Sequence, residues 1–182
     1  MHDKLLSLLT KATPSQIQAG TRWYSEAATI ADAIDEPRFR TIGALAALSP
    51  RNKWERNIKD TVAVYLDGRS ARVATFGACR EKAVQCFQAD SPAEVESILG
   101  GRKTISFFNN ILNQQSRIVC VDVWMWRACG FLEPGSNLDY TIIEQAVIDI
   151  ADWVGILPCQ VQAILWGVTR DGWSHRKQVV DL

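Results

Sequence analysis

The chain has 182 residues, 47% of them hydrophobic, with 20 basic and 20 acidic side chains and a formal net charge of zero. That is enough apolar material for one compact domain with its own core. A neutral chain excludes nucleic-acid binding driven by bulk charge, so any affinity for DNA must come from local patches.

Helical periodicity dominates from the start. Leu5, Leu8 and Leu9 predict a short first helix that ends at Thr13-Pro14. Pro14-Ser15 opens a second stretch, which Gly20 is expected to interrupt. Trp23, Ala27, Ile30, Ala31 and Ile34, at spacings of three and four, predict a helix from about Thr21 to Ile34, broken by Asp35-Glu36-Pro37. Phe39 to Leu48 reads as a buried helix stopped by Ser49-Pro50. Lys53 to Tyr65 resumes with Trp54, Ile58, Thr61, Val62 and Tyr65 on one face, and a turn at Asp67–Ser70 leads to a helix through Arg80 to Phe87. Ser91-Pro92-Ala93-Glu94 has the form of an N-cap with Pro at the first helical position and Glu at the third. That helix ends at Gly100-Gly101, and the next carries Ile105, Phe108, Ile111 and Leu112 on one stripe. Ile118–Val121 is strand-like and equally readable as an extended connector. After the loop Glu133–Ser136, helices follow at about Thr141–Val154 and Pro158–Val168, then a polar tail from Arg170. The fold class expected is all-α, with eight to ten helices in a single domain over residues 1–182.

The five cysteines, Cys79, Cys86, Cys120, Cys129 and Cys159, are odd in number and contain no CxxC, and most lie in apolar segments. They read as reduced core thiols of a cytosolic protein, and no ligand set completes a metal or Fe–S pattern. No segment reaches the roughly 18 apolar residues of a membrane span, and Met1–Leu9 is too polar and short for a signal peptide. The expected location is the cytoplasm.

Lys103 and Asp122 carry the chemistry. Gly100-Gly101 places Lys103 in the first turn of a helix, and Ile118–Val121 delivers Asp122 to the next helix start. A lysine amine can displace a base from C1′ of a sugar and form a Schiff base, while a carboxylate stabilises the positive charge that develops there. The plainer readings are a solvated surface lysine and an N-capping aspartate; a capping Asp has a fixed orientation and can serve both roles.

Leu99-Gly100-Gly101-Arg102-Lys103-Thr104, followed by Val121-Asp122-Val123-Trp124-Met125-Trp126-Arg127, resembles the helix-hairpin-helix DNA glycosylase superfamily (endonuclease III-like). There a hairpin L-P-G-V-G-[RK]-K-T-A precedes V-D-T-H-[IV]-x-R at nearly this spacing. Arg40–Ser49 with Arg51-Asn52-Lys53-Trp54 resembles the family's L-L-S-A-Q-x-x-D segment near DNA, and Phe76-Gly77 with Arg80–Ala83 its G-[LF]-x-x-x-K-A element. The likeness spans about residues 39–132. Here the hairpin is one residue shorter, Trp124 stands in the place of the family's His, and the Fe–S loop is missing. The chain also resembles small phage-encoded glycosylase-like proteins, through Trp23-Tyr24, Ala47–Arg51 with Trp54 and Asn57, Gly101–Ile111, Asp122, and Gln162-Ala163 with Trp166. Such proteins have been linked by resemblance to thymine hypermodification.

The resemblance implies a helix-hairpin-helix glycosylase-like helical domain that flips a modified or damaged base from DNA, in base excision repair or DNA modification. Lys103 would be the nucleophile at C1′ and Asp122 the essential carboxylate, with AP lyase activity as a consequence of the Schiff base. DNA contacts are expected from Ser49, Arg51, Asn52, Lys53, Trp54, Gly100, Gly101, Arg102 and Arg127. Trp23, Tyr24 and Trp124 are the candidate base pocket; one of Trp124 and Trp126 faces the same side as Asp122 and could stack on a base, the plainer reading of each being core. The basic stretch His175-Arg176-Lys177 is a further phosphate-contact candidate. DNA is the partner implied, with no cofactor, metal, Fe–S cluster or membrane, the chain acting as a monomer, in the host cytoplasm if phage-encoded. The alternatives are a non-catalytic DNA-binding module and a transferase acting on hypermodified thymine from the same scaffold.

Overall fold

The computed structural model describes residues 1–34 and 36–180, with side chains through residue 172, so Asp35 and the His175-Arg176-Lys177 side chains lie outside the described residues. Among the described residues the fold is all-α: α1 (His2–Leu9), α2 (Pro14–Ala31), α3 (Arg38–Leu48), α4 (Trp54–Asp67), α5 (Gly77–Gln88), α6 (Pro92–Leu99), α7 (Arg102–Leu112), α8 (Val123–Ala128), α9 (Asn137–Val154) and α10 (Pro158–Val180). A 3-10 turn, Gly68–Ser70, follows α4. These helices form two compact units, one of Met1–Tyr24 with the chain from Gln114 onward, the other of Ser25–Asn113. None of the described helices is long and apolar enough to cross a membrane.

The first unit packs α1, α8, α9 and α10 around Leu5, Val119, Val121, Met125, Trp126, Tyr140, Ile143, Val147, Ile150, Val161 and Leu165. Ile118–Val121 enters this core as an extended connector with no strand beside it. Its backbone groups are met by α9 instead: the Tyr140 hydroxyl donates to Val119 O at 3.1 Å and accepts from Val121 N–H at 3.0 Å. Buried backbone polar groups need partners, and one tyrosine serves two of them here. α9 begins at Asn137, earlier than its apolar periodicity suggests, because Ser136 and Asp139 form a reciprocal capping box.

Two expectations are corrected in this unit. α2 runs unbroken through Gly20, which is buried against α10; an added Cβ would meet Ile164 Cγ1 at 2.5 Å and Ile164 N at 2.7 Å. Tertiary packing here outweighs the roughly 1 kcal/mol by which Gly weakens a helix. α10 does not stop at Val168 but continues to Val180. No proline interrupts its polar second half, so the backbone ladder carries on.

In the second unit α3 is the central helix, buried from Thr41 to Leu48, and it packs on α4, α5, α6 and α7. α4 corrects a third expectation. Its buried face is Asn57, Asp60, Thr61 and Val64, whereas Val62, Tyr65 and Leu66 are exposed. Most of the polar groups on this face are engaged: Asn57 Nδ2 donates to Leu45 O at 3.0 Å and Thr61 Oγ1 to Asn57 O at 2.9 Å, while Asn57 Oδ1 is buried without a hydrogen bond.

Ser91 caps α6 by accepting from Glu94 N–H, as its sequence predicts, while the Glu94 carboxylate takes Asp90 N–H at 2.8 Å. α6 then turns into α7 through two glycines. Gly100 takes the left-handed conformation, φ +68°, that ends many helices. Lys82 Nζ donates to Leu99 O at 2.6 Å, placing a cation on the carbonyl end of α6.

Candidate functional site

The candidate residues fall into two groups, one in each unit. In the second unit Lys103 occupies the first turn of α7 and is half-buried. Its Nζ donates to Ser49 Oγ at 3.1 Å and lies 5.7 Å from the Phe107 ring centroid, one turn further along α7. Ser49 is itself oriented, its hydroxyl donating to Ala46 O at 2.9 Å. Trp54, half-buried at the start of α4, meets the same Phe107 ring edge-on at 6.5 Å. Thus Ser49 and Trp54, both remote in sequence from α7, are brought to Lys103 and to Phe107, an aromatic residue that sequence reasoning missed. The i,i+4 spacing of Lys103 and Phe107 was the available signal.

The loop between α3 and α4 is rigidly built. Arg51 has φ +54°, the one positive value among the described non-glycine residues, a conformation that costs an L-residue about 1 kcal/mol or more. Its guanidinium lies 5.6 Å from the centroid of Phe76, an exposed ring. Thr75 Oγ1 donates to Pro50 O at 2.7 Å. Beneath the loop the buried Asp60 carboxylate accepts from Arg56 Nε at 2.7 Å, Asn52 Nδ2 at 2.9 Å and Ala74 N–H at 2.8 Å. Asn52 therefore holds the loop from inside, whereas Arg51, Lys53, Gly100, Gly101 and Arg102 are exposed.

In the first unit Asp122 is the N-cap of α8. Its Oδ1 accepts from Trp124 N–H at 2.9 Å and Met125 N–H at 3.1 Å. Its Oδ2 accepts from the Trp166 indole Nε1–H at 3.0 Å. The Arg127 guanidinium lies 4.7 Å from the Trp124 centroid and that of Arg170 4.3 Å from the Trp166 centroid, so cation–aromatic pairs stand at both tryptophans that touch Asp122. Trp126 is core, against Phe131 and Tyr140. Tyr24 is also buried, its hydroxyl donating to Gln162 Oε1 at 2.6 Å, with the half-buried Trp23 edge-on to it at 4.9 Å. Tyr24 thereby joins α2 to α10, while the rings of Trp23, Trp124 and Trp166 keep part of their surface exposed.

Chemically, the second unit offers an amine steadied by a hydroxyl and a ring, beside an exposed cationic loop. The first offers a carboxylate whose two oxygens are separately oriented, amid aromatic rings backed by guanidinium groups. No curated protein matches the chain, and no solved structure does. Residues 1–173 match the family model DUF7178, described as a family of unknown function, and the chain belongs to that family.

Proposed function

We propose that the chain is a DNA glycosylase-like enzyme that removes a modified or damaged base from DNA, with Lys103 as nucleophile and Asp122 as the supporting carboxylate. The observation that carries this reading is the setting of Lys103. It stands in the first turn of a helix entered through two glycines, with its Nζ held at Ser49 Oγ and beside Phe107. A restrained, half-buried amine loses less freedom on meeting a substrate than a solvated one. The helix-hairpin-helix character of the fold is part of the same proposal, and the α6–Gly100-Gly101–α7 turn supports it.

In this reading the Lys103 amine attacks C1′ and the C1′–N bond breaks, its electron pair leaving with the base, which gains the proton lost by the amine. Opening of the C1′–O4′ bond, with a proton to O4′, gives a protonated imine. Loss of a C2′ proton then expels the 3′ phosphate, and water releases the lysine. Asp122 offsets positive charge at the sugar while the base departs. Arg51, Lys53, Arg102 and Arg127 supply phosphate contacts that the neutral net charge cannot.

The second reading, a DNA-binding module without catalysis, is favoured by one observation: both Asp122 oxygens have structural partners in α8 and α10. Borohydride trapping decides between them, on oligonucleotides with an abasic site, uracil, 8-oxoguanine or hydroxymethyluracil. The expected result is a covalent adduct that Lys103→Gln abolishes while retaining DNA binding. Free base without an adduct would reassign the chemistry to Asp122 and water. Neither base release nor adduct on any member of the panel would favour the binding module or the thymine transferase.

A further inference from the structure

The surroundings of Asp122 exceed what a helix cap requires. The two first-turn donors of α8, Trp124 N–H and Met125 N–H, both reach Oδ1. Capping is therefore complete without Oδ2. Yet Oδ2 receives the Trp166 indole N–H from α10, 44 residues further along the chain. The indole is itself braced. Arg170, one turn on, lays its guanidinium over the ring, and its Nη2 bonds Asp171 Oδ1 at 3.1 Å. Asp171 Oδ2 in turn accepts from Gln16 Nε2 of α2 at 3.0 Å. A cation over an indole face draws density from the ring, and a chain of polar contacts strengthens its members.

Resting on the glycosylase reading above, we infer that Trp166 is a positioning residue for the Asp122 carboxylate, fixing Oδ2 through its indole N–H while Arg170 and Asp171 hold the ring. With Oδ1 tied to α8 and Oδ2 tied to α10, the carboxylate plane is set from two helices. Preorganised charge of this kind matters at the moment positive charge develops at C1′, which is when the base leaves. It matters little once the base is gone, because an abasic site already offers an aldehyde to Lys103.

Trp166→Phe keeps the aromatic surface and deletes the donor. Base release from the oligonucleotide on which the wild type acts is expected to slow by on the order of 10- to 100-fold, the scale of a displaced catalytic group. Trapping of Lys103 on a ready-made abasic site should stay within about twofold, since loss of a remote donor leaves the nucleophile in place. Equal losses in both assays would reduce Trp166 to a structural residue, and no loss in either would remove its role. If the wild type neither releases base nor forms an adduct, the glycosylase reading fails by itself. The positioning contact is then decided by NMR of ¹⁵N-labelled protein, with the Trp166 indole N–H peak assigned by its disappearance in Trp166→Phe. Asp122→Asn, which still caps α8, should shift that peak; an unmoved peak would overturn the contact.

Discussion

At the scale of single residues, the two units use contrasting means to hold Lys103 and Asp122, the side chains proposed to react. Lys103 Nζ meets an oriented hydroxyl, so on the proposed glycosylase reading Ser49→Ala should leave the fold unchanged and slow adduct formation by about 3- to 10-fold, measured as the single-turnover trapping rate. An unchanged rate would show that Ser49 does not restrain Lys103. Asp60 governs the neighbouring loop more strictly. In Asp60→Asn an amide N–H faces donors that now face oxygen, leaving buried donors opposed. The expected cost is about 2–3 kcal/mol, tempered by the half-exposed Arg56. For a chain of this size that is a fall in melting temperature of roughly 5–10 °C. Lys103 and Asp122 stood out in the sequence because short local motifs carry them. Ser49 was legible as a loop residue but not as the partner of Lys103, and Trp166 was legible only as part of a pattern. Their contacts join residues 54 and 44 positions apart, and periodicity carries no information over such distances.

At the scale of elements, apolar spacing located nearly every helix, and the failures arose where something other than apolar spacing, a tertiary partner or a polar cap, decided the outcome. Gly20 is the plainest case, because it reads as a breaker and serves as the point where α2 and α10 meet. Gly20→Ala adds about 1 kcal/mol of helix propensity but drives a methyl group to within 2.8 Å of Ile164 backbone atoms. Net destabilisation of about 1–2 kcal/mol is expected from overpacking, read from urea unfolding; a more stable variant would show that the helices separate freely. The start of α9 was missed because its signal was polar. The Ser136 hydroxyl and backbone N–H beside Asp139 hold its carboxyl below the ordinary value of 3.8. The box therefore stabilises α9 above about pH 4 and loses its effect as pH falls through the lower folded value. Wild-type and Ser136→Ala unfolding curves should be well separated at pH 6 and draw together toward pH 2. Parallel curves across that range would remove the box from the account. The polar face of α4 was illegible for the same reason: Asn57 and Asp60 look like surface residues until their partners in other segments are known.

At the scale of the molecule, composition indicated a helical chain with reduced thiols but gave no hint of two units, because one boundary falls inside α2, the other just after α7, and no linker marks either. The thiols give each unit its own pH signature. Burial pushes Cys86, in the second unit, up to about 12, against a smaller pull from Lys82. Burial likewise pushes Cys129, in the first unit, up to about 11, against Lys4 and the N-terminal amine. An unfolded thiol ionises near 9, so between pH 9 and these higher values the unfolded chain has lost protons that the folded chain retains. Stability must then fall as pH rises through that window, and it is fully present below it. Other groups titrate there too, so the diagnostic quantity is a difference of slopes. Cys86→Ala and Cys129→Ala each lower stability at pH 8 by removing a packed sulfur. Each should nevertheless lose less additional stability than the wild type between pH 8 and pH 10.5, as followed by urea midpoints. Reaction of both thiols with a chromogenic disulfide at pH 8 should also be slow in the native protein and fast in urea, since the thiolate is the reacting form. A variant with the same alkaline slope as the wild type, or prompt native labelling at its site, would mean that the thiol is not held neutral by the fold.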